Sequence, residues 1–218
     1  MIEQGKCLII SGGELENPLF YQELVSQMQY IIAVDGGARH AKIMGLEPHL
    51  IVGDFDTITP EEVESYRDKG ITLEHYPPEK DFSDTHLALL KAIDLGFSDI
   101  TIIAALGGRI DHSLANIMLL ALPEARNANV RILTEYQEIF LVGNRTRLKG
   151  KPGTIVSLLP LSQEVSGITT DGLMYQVPQQ RFVMGTPNGI SNVMTKEKAY
   201  VQVEEGLLLA IITHSEGE

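Results

Sequence analysis

The stretch His49-Leu50-Ile51-Val52-Gly53-Asp54-Phe55-Asp56-Thr57 ends a short apolar run on a glycine and two aspartates one residue apart. An apolar run this short, bounded by turn residues, reads as a buried strand. Alternation at a strand end sends Asp54 and Asp56 to the same side. Two carboxylates that close repel unless a cation lies between them, and a set of oxygen ligands suits Mg2+. A solvated acidic turn is the plainer alternative; placement straight after an apolar strand weighs against it.

Working outward, the same unit recurs. Lys6 to Ile10, Ile31 to Val34, Ile71 to His75 and Ile100 to Ala104 also read as strands. Between them, Asn17 to Met28, Ala38 to Met44, Pro60 to Lys69 and Asp111 to Leu122 read as helices. A further helix is capped by Ser83 or Asp84, with Leu87, Leu90 and Ile93 on one face. Such alternation argues for a parallel sheet with helices on both faces.

After about Asn129 the pattern changes. Val130 to Leu133, Glu138 to Val142, Thr154 to Leu159, Gly167 to Thr170, Arg181 to Met184, Ala199 to Glu204 and Leu207 to Thr213 are β-like runs punctuated by glycine and proline. This half reads as a small all-β sandwich or jelly roll. The expected architecture is therefore α/β plus all-β: an N-terminal parallel-sheet nucleotide- and metal-binding domain over residues 1–128 and a C-terminal β-sandwich domain over 129–218, the boundary lying between Pro123 and Gln137.

Bulk properties narrow the function. The chain has 218 residues, 44% hydrophobic and 21% charged, with a formal net charge of -12. That is globular composition. The charge repels nucleic-acid backbones and anionic lipid, which argues against a nucleic-acid or membrane partner. It also repels ATP, so a nucleotide site here needs metal ions or local basic residues. The lone cysteine, Cys7, lies in the apolar run Cys7-Leu8-Ile9-Ile10. It reads as a buried strand position in a protein of a reducing compartment. With no secretion signal and no run of membrane-span length, a cytoplasmic location is expected.

Four loops carry chemistry, each just after a predicted strand, where open α/β sheets bind ligands. In Asp35-Gly36-Gly37-Ala38 the glycines permit a sharp turn and close approach of a ligand, and the following helix offers free N–H groups to an anion; a plain strand-to-helix turn reads equally well. The second loop holds Asp54 and Asp56. In Lys80-Asp81-Phe82-Ser83-Asp84, an N-cap accounts for Ser83 and Asp84, while Asp81 beside Lys80 suits a site that meets phosphate oxygens. In Gly107-Gly108-Arg109-Ile110-Asp111-His112, with Asn116 one turn on, Arg109 can pair with a phosphate through its guanidinium fork. His112 is either a general base or a structural helix-start histidine. P-loop, dinucleotide, zinc and nucleophile-elbow motifs are absent from the sequence.

Taken in order, Asp35-Gly36-Gly37, Gly53 to Thr57, Lys80 to Asp84 and Gly107 to His112 resemble the motifs of the thiamine pyrophosphokinase family. Gly172-Leu173-Met174-Tyr175 and Gly189-Ile190-Ser191-Asn192 resemble its β-domain motifs, so the resemblance covers nearly the whole chain. It implies transfer of a pyrophosphoryl group from ATP to the hydroxyl of thiamine, giving thiamine diphosphate and AMP, with Mg2+ required. It also implies a homodimer with thiamine held between subunits. By resemblance, Asp54, Asp56 and Asp84 hold Mg2+ and the triphosphate, with Asp81 close by as a further catalytic residue. Asp35, Gly36, Gly37, Gly107, Gly108, Arg109, Asp111 and Asn116 line the nucleotide side. Lys80, Tyr175, Ser191 and Asn192 lie near thiamine. The chain departs from the family in having Val193 where members commonly have Glu, and in having no Trp to stack on thiamine.

Two rival readings exist. A phosphatase of the haloacid dehalogenase type also sets an Asp-x-Asp pair after a strand, but the other three loops stay unexplained. A non-catalytic nucleotide or thiamine sensor needs ligand contacts but no dense carboxylate cluster.

Overall fold

The computed structural model of the chain describes residues 5–77, 79 and 81–214. Two compact units divide it, Met1–Glu135 and Tyr136–Glu218.

The first unit alternates strands and helices: β1 (Lys6–Ile10), α1 (Gln22–Ser26), β2 (Tyr30–Val34), α2 (Gly37–Ile43), β3 (Leu50–Gly53), α3 (Pro60–Asp68), β4 (Thr72–His75), α4 (Asp84–Asp94), β5 (Asp99–Ile103), α5 (Ile110–Met118) and β6 (Asn129–Leu133). The strands run parallel in the order β4-β3-β2-β1-β5-β6. β1, β2, β3 and β5 are almost wholly buried, as a sheet covered on both faces requires. Leu8, Ile10, Ile31 and Ile103 face a cluster built with Leu24, Val25, Ala41 and Met44, while Ala33 and Ile51 meet Ile58, Val63 and Tyr66. The alternate residues, Cys7, Ile9, Ile32 and Leu50 among them, line the opposite face, which α4 covers across β1, β2 and β3.

Several local expectations change. The helix read over Asn17 to Met28 is a 3-10 turn at Pro18–Tyr21 followed by the five-residue α1. Asn17 makes no side-chain cap, and the Ser26 hydroxyl turns back onto the Glu23 carbonyl at 2.7 Å, closing the helix early. Ser83, not Asp84, caps α4, accepting the His86 N–H at 3.3 Å. Its buried face is Thr85, Ala88, Leu89 and Ala92 rather than Leu87, Leu90 and Ile93. Small residues there let the helix axis approach the sheet closely. α5 ends at Met118, and its last turn tightens into a 3-10 segment, Leu119–Ala121.

The second unit is all-β: β7 (Gln137–Leu141), β8 (Arg145–Lys149), β9 (Ile155–Pro160), β10 (Glu164–Asp171), β11 (Gln180–Val183), β12 (Asn192–Val193), β13 (Lys198–Gln202) and β14 (Leu208–Thr213). Antiparallel pairing runs β12-β9-β14-β7 and, separately, β11-β10-β13-β8. Val156, Leu158, Leu208, Ala210 and Ile212 of the first set share a core with Leu148, Val165, Ile168, Phe182, Ala199 and Val201 of the second, which makes a β-sandwich. The expected α/β plus β-sandwich architecture is thus observed. The division falls after Glu135 rather than after residue 128, because β6 pairs in parallel with β5 and so belongs to the first unit. Among the described residues, no helix is long and apolar enough to cross a membrane.

Candidate active site

From β1 the chain adds β2, β3 and β4 on one side and then returns to place β5 on the other. The order of strands therefore reverses at the β1–β5 junction, where loops leaving the carboxyl ends diverge and open a crevice. A cleft of about 840 Å3 lies there, lined by Ser11 to Glu14, Asp35, Gly36, Asp54, Thr57, the start of α4 from Phe82 to Thr85, the turn from Ala105 to Arg109, and the first turns of α5. Backbone bonds stitch the two sides: Gly13 N–H donates to Ala104 O at 2.7 Å and Glu14 N–H to Leu106 O at 2.8 Å.

Two strand ends, those of β2 and β3, bring three carboxylates together. Asp35, Asp54 and Asp56 each offer an oxygen, and these oxygens lie within 4.8 Å of one another. Two left-handed residues produce the convergence. Asp35 has φ 41°, turning the chain back after β2, and Phe55 has φ 61°, so the Asp54–Asp56 pair is set by a turn rather than by strand alternation. Phe55 anchors that turn by packing beside Ile58, Tyr66 and the His75 ring. The Asp56 N–H donates to Asp54 Oδ1 at 3.2 Å. Asp35 is the inner member. Burial pushes its carboxyl up from the usual carboxylate range; the Thr57 hydroxyl opposes this, and the carboxylates of Asp56 and Asp54 add to it. Its Oδ1, like Thr57 Oγ1, is buried with no well-formed hydrogen bond. A buried, orphaned carboxylate oxygen facing two further carboxylates fits a hard divalent cation.

The fourth predicted loop is clasped by α5. Ser113 Oγ accepts the Gly107 N–H at 3.0 Å and donates to Gly107 O at 3.1 Å. Asn116 is buried, and its amide donates to Ala105 O at 2.7 Å, so it braces the turn. Arg109 is exposed, and its Nε donates to Asp111 Oδ1 at 3.2 Å; the guanidinium holds the Asp111 carboxyl below the usual range. His112 lines the cleft with its side chain largely in solvent. On the α4 side, Asp84 lines the cleft outside the acidic trio, and Asp81 is exposed and not among the lining residues. Lys80 lies outside the described residues.

Sequence reasoning passed over the loop Ser11-Gly12-Gly13-Glu14. The signal was present, since a Ser-Gly-Gly run directly follows the apolar β1, as in the other loops. Here Ser11 Oγ bonds Thr85 Oγ1 at 2.9 Å, tying β1 to α4, and Glu14 Oε1 accepts the Gly108 N–H at 2.8 Å.

In the second unit the two candidate thiamine segments are neighbours. The buried Asn192 accepts the Tyr175 N–H through Oδ1 at 3.0 Å and donates from Nδ2 to Tyr175 O at 2.7 Å. Its amide is therefore spent on the backbone of the Tyr175 loop. Tyr175 itself is 66% exposed, and Met174 and Ile190 of the two segments are exposed as well. Ser191 is exposed, with φ 56°.

Residues 21–132 match the family model described as "Thiamin pyrophosphokinase, catalytic domain", and residues 145–208 match "Thiamin pyrophosphokinase, vitamin B1 binding domain". The chain belongs to the thiamine pyrophosphokinase family. It is 30% identical to the thiamine pyrophosphokinase of Bacillus subtilis over 182 residues, 83% of this chain and 85% of that protein. Among solved structures, a thiamine pyrophosphokinase from Bacillus subtilis aligns with TM-score 0.84 at 25% identity, covering 96% of this chain and 99% of that one. The yeast thiamin pyrophosphokinase, at 17% identity, shares the fold with TM-score 0.80 over 97% of this chain and 87% of its own. The catalytic-domain match contains the whole acidic trio and the Gly107–Gly108 turn, whereas the Ser11–Glu14 loop lies before its first residue.

Proposed function

We propose that the chain transfers a pyrophosphoryl group from ATP to the hydroxyl of thiamine, giving thiamine diphosphate and AMP. The observation that carries this reading is the convergence of Asp35, Asp54 and Asp56 on one edge of a glycine-lined cleft in the unit that matches the family's catalytic domain. Asp35, Asp54 and Asp56 would hold Mg2+, and Asp84, which lines the same cleft at the start of α4, is a further candidate ligand. Bound there, Mg2+ would neutralise charge on the triphosphate and offset the repulsion among the aspartates.

The remaining work falls to the chain. The thiamine hydroxyl oxygen attacks the β-phosphorus, the bond from that phosphorus to the α–β bridging oxygen breaks, and AMP leaves. The hydroxyl proton passes to a cleft carboxylate or to water. No protein nucleophile takes part. Gly36, Gly107 and Gly108 allow the backbone to come close to the phosphates, Gly37 lets α2 start hard against β1, Arg109 supplies a cationic fork once released from Asp111, and Asn116 keeps the turn in place. Asp81, exposed in the loop before α4, is a further candidate on the phosphate side. Tyr175, braced by Asn192 and flanked by Ser191, offers a flat face to the cationic thiamine rings. Two copies form a homodimer in which the second unit of one completes the site of the other, in the cytoplasm.

Incubation with ATP, Mg2+ and thiamine tests the reading. AMP and thiamine diphosphate should appear in equal amounts. ADP with a thiamine monophosphate, or inorganic phosphate released without regard to thiamine, would point to a different phosphotransferase or to the phosphatase reading.

A further inference from the structure

On the reading of the cleft as a nucleotide site, we propose that Glu14 is a built-in competitor for the nucleotide's phosphates. The Gly107–Gly108 turn leads into α5; the Gly107 N–H is taken by Ser113, which leaves the Gly108 N–H as the donor that a phosphate oxygen could use. Here a side chain of the protein already occupies it. Glu14 Oε1 accepts the Gly108 N–H at 2.8 Å. The side chain lies along the turn closely enough that a Cβ on Gly107 would come within 3.3 Å of Glu14 Cγ, and one on Gly108 within 3.6 Å of Oε1. The adjacent anion-seeking group, the Arg109 fork, is likewise held by Asp111. A triphosphate that enters must displace the Glu14 carboxylate from Gly108 and also approach against its charge.

Glu14 is not needed to hold its own loop. Gly13 N–H bonds to Ala104 O, Glu14 N–H to Leu106 O, and Gly13 O to His40 Nε2 at 2.8 Å, all through backbone atoms of the loop. Truncating the side chain should therefore free the turn without collapsing it. The effect is that of one hydrogen bond made available, roughly 2- to 10-fold in affinity.

Isothermal titration of the full chain with ATP and Mg2+, and separately with adenosine, tests this on the wild type, Glu14→Gln and Glu14→Ala. ATP should bind tighter in Glu14→Ala by that factor. It should bind with an intermediate gain in Glu14→Gln, which keeps the acceptor oxygen but not the charge. Adenosine, lacking phosphates, should bind all three alike. Unchanged or weaker ATP binding in both variants would overturn the proposal and make Glu14 a strut of the turn, as would an adenosine affinity that shifts in step. A wild type that binds no ATP would overturn the nucleotide reading itself, a result seen before any variant is compared.

Discussion

Gly36 and Gly37 are adjacent, yet the structure makes opposite demands of them. A Cβ on Gly37 would lie 2.0 Å from the Ile10 carbonyl oxygen and 2.8 Å from its carbon. Ordinary contact begins near 3.4 Å, so the first turn of α2 would have to lift by more than an ångström. Ile10 cannot yield, because it is fully buried in the strand paired to both β2 and β5. Lifting α2 would pull Ala38 and Ala41, both buried, off the sheet. Overpacking of this kind costs about 1–3 kcal/mol, and an overlap this deep belongs at the upper end. Alanine's better helix propensity returns about 0.5–1 kcal/mol, leaving a net loss of roughly 2 kcal/mol in Gly37→Ala. For a chain of this size that is a fall in Tm of about 4–8 °C. A Cβ on Gly36 would meet Gly12 Cα at 3.7 Å and Thr57 Oγ1 at 4.0 Å, in a right-handed conformation, so Gly36→Ala should change stability by less than about 0.5 kcal/mol. Urea unfolding followed by far-UV circular dichroism compares the two, since the chain has no Trp to report by fluorescence. Equal midpoints for Gly37→Ala and the wild type, or a larger loss in Gly36→Ala, would refute the packing argument.

Asp54→Asn should cut turnover about 10²-fold or more at saturating Mg2+, yet melt no lower than the wild type without metal, because it relieves repulsion in a trio whose oxygens lie within 4.8 Å; near-normal turnover would count against the metal-holding role. Cys7 is fully buried, and burial pushes its thiol up to about 12. At about pH 8 its thiolate fraction is then roughly 10³-fold below that of a free cysteine, so a thiol reagent should label it promptly only in denaturant; comparable native labelling would contradict the burial. Asn192→Ala leaves the Tyr175 N–H and carbonyl without their partner and should lower stability by about 2 kcal/mol and raise the thiamine KM, while Ser191→Ala should melt within about 0.5 kcal/mol of the wild type. Similar melting of the two variants would show that the Asn192 clasp contributes little.

What was legible in the sequence followed physical rules that act locally. Lys6 to Ile10, His49 to Val52 and Ile100 to Ala104 are apolar on both faces, which only a sheet covered on two sides permits, and the acids and glycines beyond them mark the carboxyl edge. What was not legible depended on neighbours distant in sequence. Asp35 joins Asp54 and Asp56 because two residues take left-handed conformations, which neither Asp nor Phe advertises. β8, Arg145-Thr146-Arg147-Leu148-Lys149, buries only Leu148, too little periodicity to reveal a strand. β6 looks like its β-rich successors, and only its parallel partner β5 assigns it to the first unit. The Ser11–Glu14 loop was visible as a pattern, but its roles rest on Gly108 and Thr85, which topology alone brings near.

The central claim is that a two-phosphorus group moves intact to thiamine. ATP labelled with one phosphorus isotope at the β position and another at the γ position, turned over with thiamine and Mg2+ and then separated, tests it most directly. Both labels should arrive on thiamine in equal amounts, with AMP unlabelled. Transfer of the γ label alone, with the β label left in ADP, would contradict the account, and so would a thiamine product carrying neither.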